Sequence, residues 1–218
     1  MTNIKLARRD ILMGSAAIAA GTTIGAFGLA TPAFAAPKVG NTAPDFSIAD
    51  SNGKVHNLQD YRGKTVILEW TNHDCPFVVK HYGTENMQKL QRETTADGIV
   101  WLSVVSSAPG TQGYVQGDEA NKLTEERKAA PTAVLLDPKG KLGRDYTARV
   151  TPHMYIIDAE GKLVYMGGID DTPTANWDDV KTAQNFVRAA LDDMAKGQPI
   201  QNPVTRAYGC TVKYDTSA

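Results

Sequence analysis

Apolar runs alternate with amphipathic stretches along this chain, and the alternation predicts strands that alternate with helices. Residues 65–70 (TVILEW) and 99–106 (IVWLSVVS) are nearly continuous apolar runs, which is typical of strands covered on both faces. A predicted helix over 117–130 precedes a third strand over 132–137. Two more strands, in HMYIIDAEGKLVYMGG, are joined through Ala-Glu-Gly as a hairpin.

Helical spacing of apolar residues appears in two places. It follows the first strand from Phe77 to Leu90, and it recurs over 177–196, where it predicts one amphipathic helix that Gly197 and Pro199 stop. The turn signals Asn52-Gly53 and Arg62-Gly63 predict an opening hairpin. Together these elements predict an α/β fold with a mixed central sheet, flanking helices, an N-terminal hairpin and a C-terminal tail.

The first 35 residues have the layout of an export signal. A basic start with Arg8-Arg9 leads into a Gly/Ala-rich apolar stretch and the small-x-small site Ala33-Phe34-Ala35. We therefore expect a leader over 1–35, of the twin-arginine type, a periplasmic protein and no stable membrane anchor after cleavage; an uncleaved anchor is the alternative. The domain is expected over 36–200, with a tail over 201–218.

Composition narrows the function classes. The 218 residues are 42% hydrophobic and 22% charged with a net charge of −1, which indicates an ordinary globular protein with no basic excess for nucleic acid. No cofactor is predicted. The two cysteines, Cys75 and Cys210, suffice for one disulfide in an oxidising compartment.

Cys75 is the leading candidate for chemistry. It follows a predicted buried strand, and Pro76 suits the first position of a helix, so Cys75 is expected at the N-cap. Backbone donors and the positive end of the helix dipole would there stabilise a thiolate, with Lys80, His73 and His81 as possible helpers. The alternative is an inert buried cysteine.

Glu69 is an acid inside an apolar strand, six residues before Cys75. Buried, it would have a raised pKa and would exchange protons with the thiol; alternatively, it points to solvent.

Thr151-Pro152 precedes the first strand of the later hairpin. A cis bond there would turn the chain beside the thiol and leave a backbone edge free for an extended substrate, with Thr151, Phe77 and Pro76 as the substrate-binding residues. A trans proline at an ordinary strand start is the alternative.

From about Val39 to Asp170 the chain resembles the thioredoxin-fold redoxins of the alkyl hydroperoxide reductase/thiol-specific antioxidant group. The resemblance rests on VGNTAPDF, LQDYRGKTVILEW, the thiol after the strand, and VTPHMYIID followed by GKLVYMG. It is nearest to exported peroxiredoxin-like members with a Cys-Pro-Phe site and a YGC tail. The resemblance implies a thioredoxin-like fold, a reactive Cys75, a cis Pro152 and, in Glu69, the buried acid of thioredoxins.

The chain departs from both branches of this group. Val78 stands where thioredoxins have a second cysteine. Leu68, Asn72 and Pro152 stand where peroxiredoxins have the proline, threonine and arginine of their peroxide site. The missing threonine and arginine weigh against efficient peroxide reduction.

A lone attacking thiol needs a second thiol to complete its reaction, and Cys210 is the only other one in the sequence. It is expected either to resolve the Cys75 intermediate, to form a permanent structural disulfide with Cys75, or to stay unpaired.

Three functions follow. The first is thiol–disulfide exchange with a protein partner, the second is a peroxidase acting on small hydroperoxides, and both require a thiol electron donor. The third is a non-enzymatic Cu(I) or Zn(II) module whose soft ligands would be His73, Cys75, His81, His153 and Cys210.

Overall fold

The computed structural model describes residues 36–216, so the predicted leader lies outside the described part. The fold opens with an antiparallel hairpin of β1 (Ser47–Ala49) and β2 (Val55–Asn57). Gly53 in its turn has φ +77°, a backbone conformation that glycine adopts without steric cost. The predicted opening hairpin is confirmed, and a 3₁₀ helix (Leu58–Tyr61) follows it.

A five-stranded sheet with the order β5–β4–β3–β7–β8 forms the centre. β3 (Val66–Trp70), β4 (Val100–Val105) and β5 (Ala133–Leu136) run parallel to one another. β7 (His153–Ile157) pairs antiparallel with both β3 and β8 (Leu163–Gly167). Every residue of β3, β4 and β7 is buried. The mixed sheet and the strands read from the apolar runs are therefore confirmed.

Alternating side chains of β3 face two separate hydrophobic cores. Ile67 joins the core under α1 (Pro76–Gly83), α2 (Asn86–Ala96) and α5 (Phe186–Ala195). Leu68 and Trp70 join the opposite core, which also buries Leu142 from α4 (Lys141–Asp145). α3 (Gly117–Glu126) packs on the sheet edge near β5. The central strand is thus covered on both faces, which explains its unbroken apolar sequence.

The helical segments differ in detail from the predicted pattern. The apolar spacing over 77–90 is shared by α1 and α2, because Glu85 between them is left-handed (φ +57°). The single helix predicted over 177–196 is wrong: a 3₁₀ helix (Trp177–Lys181) is followed by α5. Asn185 caps α5 by accepting from the Arg188 backbone N–H at 2.9 Å, and this local bond starts a new helix within the periodic stretch. Gly197 follows the end of α5, as predicted.

The C-terminal segment folds back onto the domain. Val204 forms an isolated parallel β-bridge with Met166 of β8. Further on, β9 (Cys210–Thr211) pairs antiparallel with β6 (Val150–Thr151), just before Pro152. No α-helix within residues 36–216 combines the length and apolar character that crossing a bilayer requires.

Candidate active site at the Cys75–Cys210 pair

Cys75 is the N-cap residue of α1, as the sequence predicts. Its backbone is extended (φ −74°, ψ 121°), and Pro76 occupies the first turn. The Cys75 carbonyl accepts from the backbone N–H groups of Val78 and Val79 at 2.9 and 2.8 Å. The sulfur therefore lies at the end of the helix where backbone N–H groups and the dipole favour negative charge.

The tail strand brings the second thiol to the first. In the β6–β9 pair Thr151 lies opposite Cys210. The Cys75 thiol donates to the Thr151 carbonyl oxygen at 3.1 Å, and the Cys210 backbone N–H donates to the Cys75 sulfur at 3.4 Å. The two cysteines, 135 positions apart in the chain, are both present as thiols. This placement is compatible with a resolving or a structural partner for Cys75.

The Thr151–Pro152 peptide bond is cis, as expected. The expectation that the backbone edge beside it is free for a substrate is wrong, because β9 of the same chain already pairs with Thr151. Gly209 makes this close approach possible: a Cβ atom there would lie 1.9 Å from the Thr151 carbonyl oxygen. The tail thus occupies the place that the sequence assigns to an extended substrate.

The two thiols differ in acidity. Burial acts to raise the pKa of Cys75. Hydrogen bonds with the Cys210 thiol, with the Thr151 side chain, and from the backbone N–H groups of Cys210 and Val78 outweigh burial and lower the pKa. Burial, the hydrogen bond to Cys75 and the Cys75 charge together raise the pKa of Cys210 to about 11. Cys75 is therefore the thiol that ionises first and the better leaving group of the pair.

Access to the two sulfurs also differs. Cys75 is fully covered (0% exposed), whereas Cys210 is half-buried. Of the predicted substrate-binding residues, Pro76 is exposed, while Thr151 is buried against the tail. The Phe77 ring meets the ring of Tyr208 edge-on at 5.7 Å. With the tail in place, an external disulfide meets Cys210 before it meets Cys75.

Glu69 is buried (0% exposed), so the solvent-facing interpretation is wrong. Burial raises the pKa of this carboxyl, although several hydrogen bonds act in the opposite direction. Its oxygens accept from four side chains at 2.9–3.2 Å, namely Tyr82, Gln91, Trp101 and Ser103. Cys75 is not among these partners, so proton exchange between the two groups stays a prediction.

The basic residues near Cys75 point elsewhere. Lys80 and His81 are buried and contact Asp170 and Tyr208, and His73 lies 3.4 Å from Asp74. No local pattern in the sequence indicates that Asp170 contacts α1, and Tyr208 is recognisable there only as part of the YGC tail. Within residues 36–216 no three His, Cys, Asp or Glu side chains are grouped to hold a metal ion. Of the proposed soft-metal ligands, Cys75 and Cys210 meet, but no third one joins them in the part of the chain that the structure describes.

Comparison with known proteins gives a family match. The model of the AhpC/TSA family matches residues 39–166. The chain is 30% identical over 129 residues to the thioredoxin-like protein YneN of Bacillus subtilis, a match that covers 57% of this chain and 68% of YneN. It is 28% identical over 125 residues to the thiol-disulfide oxidoreductase ResA of Geobacillus thermodenitrificans, covering 57% of this chain and 66% of ResA. The matched segment thus spans about two thirds of these relatives.

A solved structure covers more of the chain. An uncharacterized conserved protein from Geobacillus kaustophilus superposes with a TM-score of 0.70 at 26% identity, over 83% of this chain and 94% of that one. Together with the likeness to YneN, this agreement supports the predicted thioredoxin-like fold.

Proposed function

This chain belongs to the AhpC/TSA family, and from that premise we propose that it is a thiol–disulfide oxidoreductase with Cys75 as attacking and Cys210 as resolving thiol. The observation that carries the proposal is the pairing of an N-cap thiol with a second thiol whose backbone N–H donates to it at 3.4 Å. ResA of Geobacillus thermodenitrificans, one of the similar proteins, is named a thiol-disulfide oxidoreductase, which agrees with this activity.

The exchange proceeds in two balanced steps. The Cys75 thiolate attacks one sulfur of a substrate disulfide, a Cys75–substrate disulfide forms, and the other substrate sulfur leaves as a thiolate. Cys210 passes its proton to the substrate thiolate that has left and attacks the Cys75 sulfur. This step forms the Cys75–Cys210 disulfide and releases the second substrate sulfur as a thiolate. Two electrons have passed from the protein to the substrate.

A thiol donor would restore the reduced pair. Its thiolate attacks the half-exposed Cys210 sulfur, and Cys75 leaves as the thiolate because its pKa is the lower of the two. A second donor thiol then releases Cys210. The substrate class is accordingly a protein or peptide disulfide, and the donor is a dithiol protein or a small thiol. We also propose that the leader over residues 1–35 directs export to the periplasm. The mass of the protein recovered from the periplasm tests this, because cleavage after export would remove the leader.

Single-cysteine variants test the assignment. Cys210→Ser, mixed with a disulfide-containing peptide, is expected to accumulate a mixed disulfide on Cys75, since the resolving thiol is gone. Cys75→Ser is the matched control and is expected to lose turnover. A mixed disulfide absent from Cys210→Ser would contradict the proposal.

Hydrogen peroxide distinguishes the second enzyme class. Reaction of wild-type protein with hydrogen peroxide, if much faster than with the peptide disulfide, would make the protein a peroxidase. Among the described residues, the hydrogen-bond partners of the Cys75 sulfur include no positively charged side chain that would polarise a peroxide. We therefore expect the disulfide to be preferred.

A further inference from the structure

Four buried side chains from three parts of the fold meet at one hydroxyl, that of Tyr208. Lys80 and His81 come from α1, and Asp170 follows β8. Tyr208 comes from the tail, two residues before Cys210. Lys80 and His81 are 0% exposed, Asp170 3% and Tyr208 8%. A buried charged cluster of this kind is costly unless all its members have partners.

The donors and acceptors of the cluster can be assigned. The Asn86 amide donates to Nδ1 of His81 at 2.9 Å, so the ring proton is on Nε2. Burial and the nearby Lys80 lower the pKa of His81 to about 3, and the ring is therefore neutral. His81 Nε2 and Lys80 Nζ each donate to the Tyr208 oxygen at 3.2 Å. The Tyr208 hydroxyl in turn donates to Asp170.

The docked tail gives the cluster its central bridge. Outside the tail, Lys80 donates to the Thr172 carbonyl and Asp170 accepts from the Thr172 backbone N–H, each at 3.1 Å, but neither bond links the lysine to the aspartate. Asp170 lies 3.6 Å from both the Lys80 ammonium and the His81 ring, longer than a good hydrogen bond. The Tyr208 hydroxyl bridges these groups at shorter distances. If the tail leaves, Lys80 and Asp170 each lose this bridge, and a buried charge that loses a partner is strongly unfavourable.

The cluster is also tied directly to the thiol pair. The Tyr208 ring packs on Phe77, two residues after Cys75. One residue beyond Tyr208, Gly209 crosses the Thr151 carbonyl, and Cys210 then meets the Cys75 sulfur. The anchor and the resolving thiol are thus separated by a single glycine.

We propose that Tyr208 is a positioning residue whose hydroxyl holds the tail over Cys75, through its contacts with Lys80, His81 and Asp170; we call these contacts the latch. Release of the hydroxyl from the three side chains admits a disulfide substrate to Cys75. The inference rests on the proposed function and deepens it. The tail serves as an internal occupant of the substrate edge beside Thr151, and a substrate competes with it for that edge.

Two tyrosines of the same tail supply a matched pair of variants. Tyr208→Phe removes the latch hydroxyl and keeps the ring. Tyr214→Phe removes a hydroxyl that donates to the Ala148 carbonyl at 2.7 Å, away from the cluster. In reduced protein, the rate at which iodoacetamide alkylates Cys75 is measured by peptide mass spectrometry and taken on its high-pH plateau, so that access alone is compared.

Tyr208→Phe is expected to raise the Cys75 rate at least tenfold, which corresponds to about 1.4 kcal/mol. Tyr214→Phe is expected to leave it within about threefold of wild type, about 0.7 kcal/mol. Thermal unfolding by circular dichroism, followed in parallel, separates opening of the tail from loss of the fold. Equal Cys75 rates in the two variants would overturn the latch.

A second variant keeps the test decisive if Tyr208→Phe does not fold. Lys80→Met removes one donor to the hydroxyl and leaves Tyr208 in place, and it is expected to raise the Cys75 rate as well. An unchanged rate in a folded Lys80→Met would count against the latch. The alkylation rate of Cys75 reports only on whether the tail covers it. If Tyr208→Phe speeds alkylation but Cys210→Ser forms no mixed disulfide, the latch is supported and the proposed function is contradicted.

Discussion

Gly209 offers the sharpest test of the tail as part of the active site. Its φ is +133°, and an added Cβ would lie 1.9 Å from the Thr151 carbonyl oxygen and 2.7 Å from the carbonyl carbon. Carbon–oxygen contacts are ordinarily about 3.3 Å or longer. The Gly209→Ala tail must therefore move by more than about 1 Å, at the point where the Cys210 N–H reaches the Cys75 sulfur.

The cost of Gly209→Ala can be bounded. A non-glycine residue in such a backbone region costs about 1–3 kcal/mol, and the contact with Thr151 adds to it. The reduced tail escapes this strain by undocking, but the Cys75–Cys210 disulfide holds the tail in place. The equilibrium constant for forming the disulfide is therefore expected to fall by about tenfold to 100-fold, at about 1.4 kcal/mol per factor of ten.

Glutathione redox buffers measure this constant. Oxidised and reduced protein are quenched by alkylation and counted by intact mass. Gly197→Ala is the control, because Gly197 also has positive φ (+65°) but no atom lies within 4 Å of the added Cβ, so it reports strain without a clash at the thiols. A Gly209→Ala constant equal to that of Gly197→Ala would refute the view that the tail must sit closely on Thr151.

Three further predictions concern the thiols and the buried acid. The raised pKa of Glu69 means that the native protein binds this proton more tightly than the unfolded protein, so the free energy of unfolding falls as pH rises above about 4.3. Denaturant titrations at several pH values should show a shallower fall in the free energy of unfolding for Glu69→Gln than for wild type, and an equal fall would contradict this. Reduced glutathione is expected to modify Cys210 of the oxidised protein, as peptide mapping would show, and modification of Cys75 instead would reject the assigned point of attack. Val78→Cys in the Cys210→Ser background is expected to restore disulfide turnover, since it places a thiol one helical turn from Cys75; no recovery would argue against Cys75 as the attacking group.

The strands and the thiol position were predictable because they depend on local sequence. An unbroken apolar run marks a strand covered on both faces, and Cys-Pro after such a run places a thiol at a helix N-cap. The burial of Glu69 was open from the sequence, since an acid in a strand faces either core or solvent. Its four donors come from three separate elements, and their convergence depends on how α1, α2 and β4 pack together.

The prediction of one helix over 177–196 was wrong for a related reason. Its apolar spacing continues through Asn185, but a backbone hydrogen bond from Phe186 to Ile169 and the Asn185 cap divide it. A partner distant in sequence decided where α5 begins, and periodicity alone does not contain that information.

The sequence by itself determined that one sulfur lies at a helix N-terminus, because the residues responsible are neighbours in the chain. Only the tertiary structure decided what covers that sulfur. Cys210 reaches it from 135 positions away, along a path fixed by pairing with Thr151 and by the buried contacts of Tyr208. Contacts of this range arise from the packing of whole elements, and they turn a single reactive cysteine into a pair.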